Sequence, residues 1–231
     1  IANPVRGKCP HFGTKICGYE DPITKEWKQY CQAEKRRVRF NQLAELSFHP
    51  EVLEAIRDLK KPSTVFVGEC IDLCAEKIPT WNHINILSCC RFYNQHTYIF
   101  CTKNPSRYND LKQYLPPEPW FGATITNQPD ADNRVLEILK LDRPNLWLSI
   151  EPLVGEIKLD WTYLSKFSSR FPHTISQIII GAMTGRGAIK PQKEWVMSLI
   201  EQADALRVKV FIKDNLLKIY PELRRRELAW A

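Results

Sequence analysis

The sequence predicts an α/β fold: a single partial (β/α) barrel of six or seven parallel units, with a cysteine-bearing loop on its carboxyl-end face. Three observations predict it. Six short apolar runs recur at intervals of roughly 20 to 35 residues, the period of right-handed βαβ units. Helical patterns fill the gaps between them. No Gly/Ser-rich linker divides the 231 residues, so residues 1–231 read as one domain.

Taken in order, Ile1–Val5 reads as the end of a first strand. Residues 6–48 show no strand signal and read as an excursion on the top face, and His49–Lys60 as a helix leading into the main strands. These are Thr64–Gly68, Tyr98–Cys101, Trp120–Ile125, Leu146–Ile150, Gln177–Gly181 and Lys209–Ile212. Apolar nearly throughout, they suit strands covered on both faces rather than a half-wet sheet. The intervening helices are Thr80–Asn94, Pro105–Leu115, Ala131–Lys140, Asp160–Phe167 and Pro191–Ala205. In the last, Val196, Ile200 and Ala203 lie on a face bracketed by Trp195, Leu199 and Gln202, with Pro191 in the first turn. A closed eight-unit barrel takes about 250 residues, which a chain of this length with a strand-poor start does not reach.

Composition narrows the class. At 44% hydrophobic, 26% charged and 9 Gly, the chain is neither collagen-like, low-complexity nor largely disordered. Its apolar runs, such as Ile175–Ile180, are too short to span a bilayer, and no secretion signal opens it, so a cytoplasmic protein without membrane contact is expected. Eight Cys are too few for a disulfide-stapled scaffold. Cys70, Cys74, Cys89, Cys90 and Cys101 lie in apolar stretches and read as core thiols. Cys9, Cys17 and Cys31 lie instead among Gly, Lys, His, Tyr and Asp.

In parallel βα folds the chemistry sits at the carboxyl ends of the strands. Here those ends carry Glu69 and Asp72; Thr102 and Lys103; Thr126 and Asn127; Glu151; Thr184 and Arg186; and Lys213, Asp214 and Asn215. Glu69, Lys103, Glu151 and Lys213 follow buried strands closely enough to reach a shared mouth, where opposite charges hold each other ionised or grip a zwitterionic ligand. The glycines of GAMTGRG (181–187) do not match a dinucleotide fingerprint, and the segment reads as a flexible loop.

Several segments then resemble one family in order along the chain. NPVRGKCPHFGTKIC (3–17), YCQAE (30–34), KKPSTVFVGECIDLC (60–74), QHTYIFCTKNPSR (95–107), LSIEPLVGEI (148–157), IIIGAMTGRG (178–187) and VFIKDN (210–215) together look like the radical S-adenosylmethionine (SAM) superfamily, particularly a phage-associated branch. The resemblance implies a [4Fe–4S] cluster held by three thiolates, Cys9, Cys17 and Cys31. One iron stays open for the amino and carboxylate groups of SAM, and an electron donor drives cleavage to a 5′-deoxyadenosyl radical. Soft thiolates suit such a cluster. The family's Gly-Gly-Glu-like segment corresponds to Val67-Gly68-Glu69, with one glycine rather than two. The resemblance therefore implies Gly68, Glu69 and Asn127 as cofactor-binding residues, and Lys103, Glu151 and Lys213 in catalytic roles toward SAM or the substrate.

The cysteine spacing departs from the family's Cys-x3-Cys-x2-Cys. Two other readings of these residues stay open: a structural Zn²⁺ on Cys9, His11, Cys17 and Cys31, or ordinary thiols without metal. Each would leave a binding protein on a degenerate barrel. The net charge of +7 and the basic runs 35–39 (KRRVR) and 224–226 (RRR) point to a nucleic-acid or phosphorylated partner, with Trp27 and Tyr30 as stacking aromatics.

Overall fold

A computed structural model of the chain describes residues 2, 4–6, 16, 18–20, 24–29, 46–69, 71–159, 175–185 and 187–231. It is an α/β protein built on a parallel six-stranded sheet. The strands of that sheet are β5 (Thr64–Val67), β6 (Thr97–Thr102), β7 (Trp120–Thr124), β8 (Leu146–Ile150), β9 (Ile175–Ile180) and β10 (Lys209–Ile212), hydrogen-bonded in the order β5-β6-β7-β8-β9-β10. All six predicted strands are therefore present, displaced by no more than two residues at either end. By contacts the chain divides into two compact units, Ile1–Gly18 with Gln29–Phe121, and Tyr19–Lys28 with Gly122–Ala231.

In the first unit, β5 and β6 pair in parallel register, Thr64 opposite Thr97 through Val67 opposite Phe100. The free edge of β5 takes Ala2, whose N–H donates to Phe66 O at 2.8 Å and whose carbonyl accepts from Gly68 N at 2.8 Å. Ala2 thus pairs parallel to β5, as a first strand should, in a single bridge among the described residues. Val5 and Arg6 instead make β1, antiparallel to β4 (Ser47–Phe48). β2 (Gly18–Glu20) and β3 (Trp27–Gln29), which fall mostly in the second unit, form another small pair, so residues 6–48 do contain strands. Segments of two or three residues are too short to show alternation, and pairing rather than propensity makes them strands.

Helix α1 (Glu51–Arg57) precedes β5, and α2 (Thr80–Phe92) links β5 to β6. The predicted Pro105–Leu115 helix breaks into α3 (Ser106–Asp110) and a 3₁₀ turn at Lys112–Tyr114. Phe100, Tyr108 and Phe121 form the aromatic heart of this unit, with Phe100 and Phe121 stacked at 5.6 Å.

In the second unit β8–β9 and β9–β10 are parallel. Leu146, Leu148, Ile150, Ile178, Ile180, Val210 and Ile212 are all fully buried, which accounts for the near-continuous apolar runs. Helix α4 (Gln128–Leu139) follows β7, and α5 (Lys193–Ala205) precedes β10 and buries Val196, Leu199 and Ala203. The Asp160–Phe167 helix lies outside the described residues. After a short α6 (Asp214–Leu217), the chain returns antiparallel to β10: Ile212 N donates to Arg225 O and Glu227 N to Val210 O. Buried Gln177 anchors this return, accepting from Ala229 N at 2.8 Å, while Trp230 packs edge-on against Trp147. No helix among the described residues is long and apolar enough to cross a membrane.

Candidate functional site

The structure gathers the strand-end residues into two clusters, one in each unit. In the first, β5 runs into Gly68, whose φ of +81° is left-handed. A Cβ there would lie 2.5 Å from Leu73 Cγ, so both backbone and packing demand glycine. This kink leaves Glu69 exposed and turns the chain so that Ile71 and Asp72 bury.

Asp72 is a tie between strands rather than a solvent-facing charge. Its Oδ1 accepts from Cys74 N at 3.0 Å and from the Thr102 hydroxyl at 2.6 Å, and its Oδ2 accepts from Lys103 N at 2.7 Å. Asn104 closes the group, donating from its backbone to Thr102 Oγ1 and from Nδ2 to Cys74 O, each at 2.9 Å. A buried carboxylate with three donors has its hydrogen bonding satisfied. It extends the β5–β6 pairing past the last ladder bond and so sets where Lys103 leaves the sheet; that residue is half-buried.

The cysteines divide by chemistry. Cys74 and Cys90 are buried, whereas Cys89 and Cys101 are only half-buried. Burial pushes the Cys74 thiol well up, the nearby Asp72 charge adding to it, and burial likewise raises Cys89 and Cys90. Burial thus disfavours the thiolate at all three, and a metal ligand needs the thiolate. Cys70 and the candidate ligands Cys9, Cys17 and Cys31 lie outside the described residues. Among the described residues no group of three or more His, Cys, Asp or Glu is placed to hold a metal ion.

The second cluster joins the ends of β8, β9 and β10. Glu151 follows β8, and its Oε2 accepts from Lys213 Nζ at 2.6 Å while Oε1 accepts from Asn215 Nδ2 at 3.0 Å. The carboxylate lies flat on Gly181, where an added Cβ would sit 2.7 Å from Oε1. Backbone bonds fix the three ends: Gly181 N to Ile150 O, Leu153 N to Gly181 O, and Lys213 N to Ile180 O, at 3.0, 3.0 and 2.9 Å. The Lys213 side chain is 43% exposed and that of Glu151 25%. A carboxylate and an ammonium are thus presented side by side at a wet surface, able to accept from and donate to a ligand.

Asn127 serves α4 first. It is the N-cap, its Oδ1 accepting from Asp130 N at 2.9 Å, with proline in the first turn. Asp130 in turn accepts from Thr126 and pairs with Arg134 at 2.8 Å.

Of the basic runs, 35–39 lies outside the described residues. In 224–226, Arg225 grips Asp204 through both terminal nitrogens and Glu227 through Nε. Arg226 pairs with Asp214 and lies over the Phe211 ring at 4.8 Å. Both hold the returning segment, which commits their charge within the fold. Trp27 is exposed, and Tyr30 lies outside the described residues.

Two features escaped the sequence reading. Gly181 read as the first glycine of a loop, and Asn215 as one polar residue among several. Gly181 sits one residue beyond the end of β9 and Asn215 three residues beyond the end of β10, but only the three-strand geometry brings them to Glu151.

A family model described as "Protein of unknown function (DUF5131)" matches residues 2–217, so the chain belongs to that family. No curated protein and no solved structure matches the chain.

Proposed function

We propose that this member of the DUF5131 family is a radical-SAM-type enzyme on a partial (β/α)6-7 barrel, its [4Fe–4S] cluster held by Cys9, Cys17 and Cys31. The single observation that carries the reading beyond resemblance is the division of the cysteines. Burial raises the thiols of Cys74, Cys89 and Cys90, which disfavours the thiolate that a cluster needs. The three cysteines of the polar N-terminal segment are in this reading the soft ligands; of the other two, Cys101 is half-buried and Cys70 lies outside the described residues. When bound, the cluster supplies the electron that cleaves SAM to a 5′-deoxyadenosyl radical, the hydrogen-abstracting species.

The chain's own residues supply binding and orientation. Glu69, exposed just past the left-handed Gly68, is placed to accept from an ammonium such as that of SAM. Lys103 leaves β6 at a point fixed through Asp72. Glu151 and Lys213 form a paired acceptor and donor for a substrate group, which is a nucleic-acid or otherwise phosphorylated molecule in this reading. Asn127, its oxygen committed to the helix cap, has its amide N–H groups to offer the cofactor.

The test is anaerobic reconstitution with iron and sulfide, followed by SAM and reductant, with 5′-deoxyadenosine as the readout. Cys17→Ala should abolish its formation while the protein stays folded. A metal-free nucleic-acid-binding protein, or one built around zinc, would form none in either case; chelation would melt the zinc form.

A further inference from the structure

Asn215 is placed unlike an ordinary helix-start asparagine. Its Nδ2 donates both to Ala182 O at 2.7 Å and to Glu151 Oε1 at 3.0 Å, and its Oδ1 accepts from Ala182 N at 3.2 Å. Two of these three bonds are to the backbone just past β9. The plane of the amide is therefore set by the main chain, not by the carboxylate, and the N–H that reaches Glu151 is aimed before any ligand arrives. Lys213 closes the other side of the carboxylate, and the bare Cα of Gly181 forms its floor. The remaining acid beside this cluster, Asp214, is turned away to Arg226.

We propose that Asn215 is a positioning residue: it acts through Glu151, holding the carboxylate in one orientation so that the Glu151–Lys213 pair meets its ligand preformed. This rests on the reading of Glu151 and Lys213 as site residues. The residue type follows from the bonding. Aspartate in this place would set a carboxylate against both Glu151 and the Ala182 carbonyl, and only an amide offers two donors and an acceptor in one plane. A pre-aimed, hydrogen-bonded charge loses less freedom when a ligand binds, which is what preorganisation contributes.

The test compares wild type, Asn215→Asp and Asn215→Ala in the full chain, with the Glu151 carboxyl carbon followed by ¹³C NMR against pH. Like charges this close raise a carboxyl midpoint, so Asn215→Asp should move Glu151 up by at least about one pH unit, and Asn215→Ala by less. The denaturation midpoint of Asn215→Asp should fall with Glu151 present and recover most of that loss in a Glu151→Gln background. A role confined to latching Ala182 would lose the same stability in both backgrounds. In the reconstituted enzyme, deoxyadenosine formation by Asn215→Asp should drop about tenfold at pH 7 and recover as the pH falls and the new carboxyl regains a proton to donate. An unchanged Glu151 midpoint, or a stability loss indifferent to Glu151, overturns the assignment. Absence of deoxyadenosine from wild type would sink the radical-enzyme reading instead, and the carboxyl titration and the double-variant cycle would still decide Asn215.

Discussion

Replacing Gly181 with alanine tests the second cluster with one methyl group. The new Cβ would lie 2.7, 2.8 and 2.9 Å from Oε1, Cδ and Cγ of Glu151. Gly181 cannot retreat, because its N–H and carbonyl are bonded to Ile150 and Leu153. Its backbone is not in the left-handed region, so alanine itself is tolerated there. The flexible partner must move, and Glu151 gives up its contacts to Lys213 and Asn215. The ion pair is partly exposed and worth about 0–1 kcal/mol. The charge-assisted bond to Asn215 adds about 1.5 kcal/mol. Gly181→Ala should therefore cost about 1.5–2.5 kcal/mol in urea denaturation, a fall of roughly 3–10 °C in Tm for a chain of this size. In a Glu151→Ala background the same substitution should cost under about 0.5 kcal/mol, a non-additivity that a shared contact produces. Equal costs in the two backgrounds would refute the reasoning, since the methyl group would then be colliding with something other than Glu151.

Gly68→Ala is a harsher change, combining a left-handed φ with a 2.5 Å contact to Leu73. It should cost about 3 kcal/mol by chemical denaturation. Asp72→Asn places an amide N–H against either the Lys103 N–H or the donors on Oδ1. A loss of about 2–3 kcal/mol is expected, read as a lower Tm. For Cys74 and Cys90 the folded state holds the proton above the ordinary thiol value of 9.0. Below that value neither state is ionised and stability is unaffected; as pH rises through it only the unfolded chain ionises, so stability falls. Replacing either cysteine with alanine should flatten that alkaline loss in denaturation curves at pH 8 to 10, and mass spectrometry should find both thiols unalkylated in the native protein at pH 8.

What the sequence disclosed and what it hid follow from the range of the forces involved. The β8 and β10 runs were legible to the residue because Leu146–Ile150 and Lys209–Ile212 are short and packed against neighbours that exclude water from one whole face. The Asn127 cap was visible only as a polar strand end, yet its role is local, and Asn-x-Pro-Asp before an apolar-periodic run is a helix-start signal. The β1–β4 bridge was illegible because two residues carry no period, and pairing Val5 with Phe48 depends on a partner more than forty residues away. Asp72 could be named as a strand-end acid but not as a tie, since two of its three donors, Thr102 and Lys103, lie about thirty residues on. The same separation hid Asn215, whose amide meets Glu151 and Ala182 only after β8, β9 and β10 have aligned. The 224–226 run reads as a free basic patch until its acids, Asp204, Asp214 and Glu227, are folded around it.

The most direct test is the iron and acid-labile sulfide content of anaerobically reconstituted protein, with 5′-deoxyadenosine measured on the same sample under reductant and SAM. A radical enzyme should hold about four irons and four sulfides per chain, form deoxyadenosine, and lose both the cluster and the product on Cys17→Ala. Stoichiometric zinc in their place, or no metal and intact SAM, would contradict it and leave a binding protein in which Cys9, Cys17 and Cys31 carry no redox chemistry.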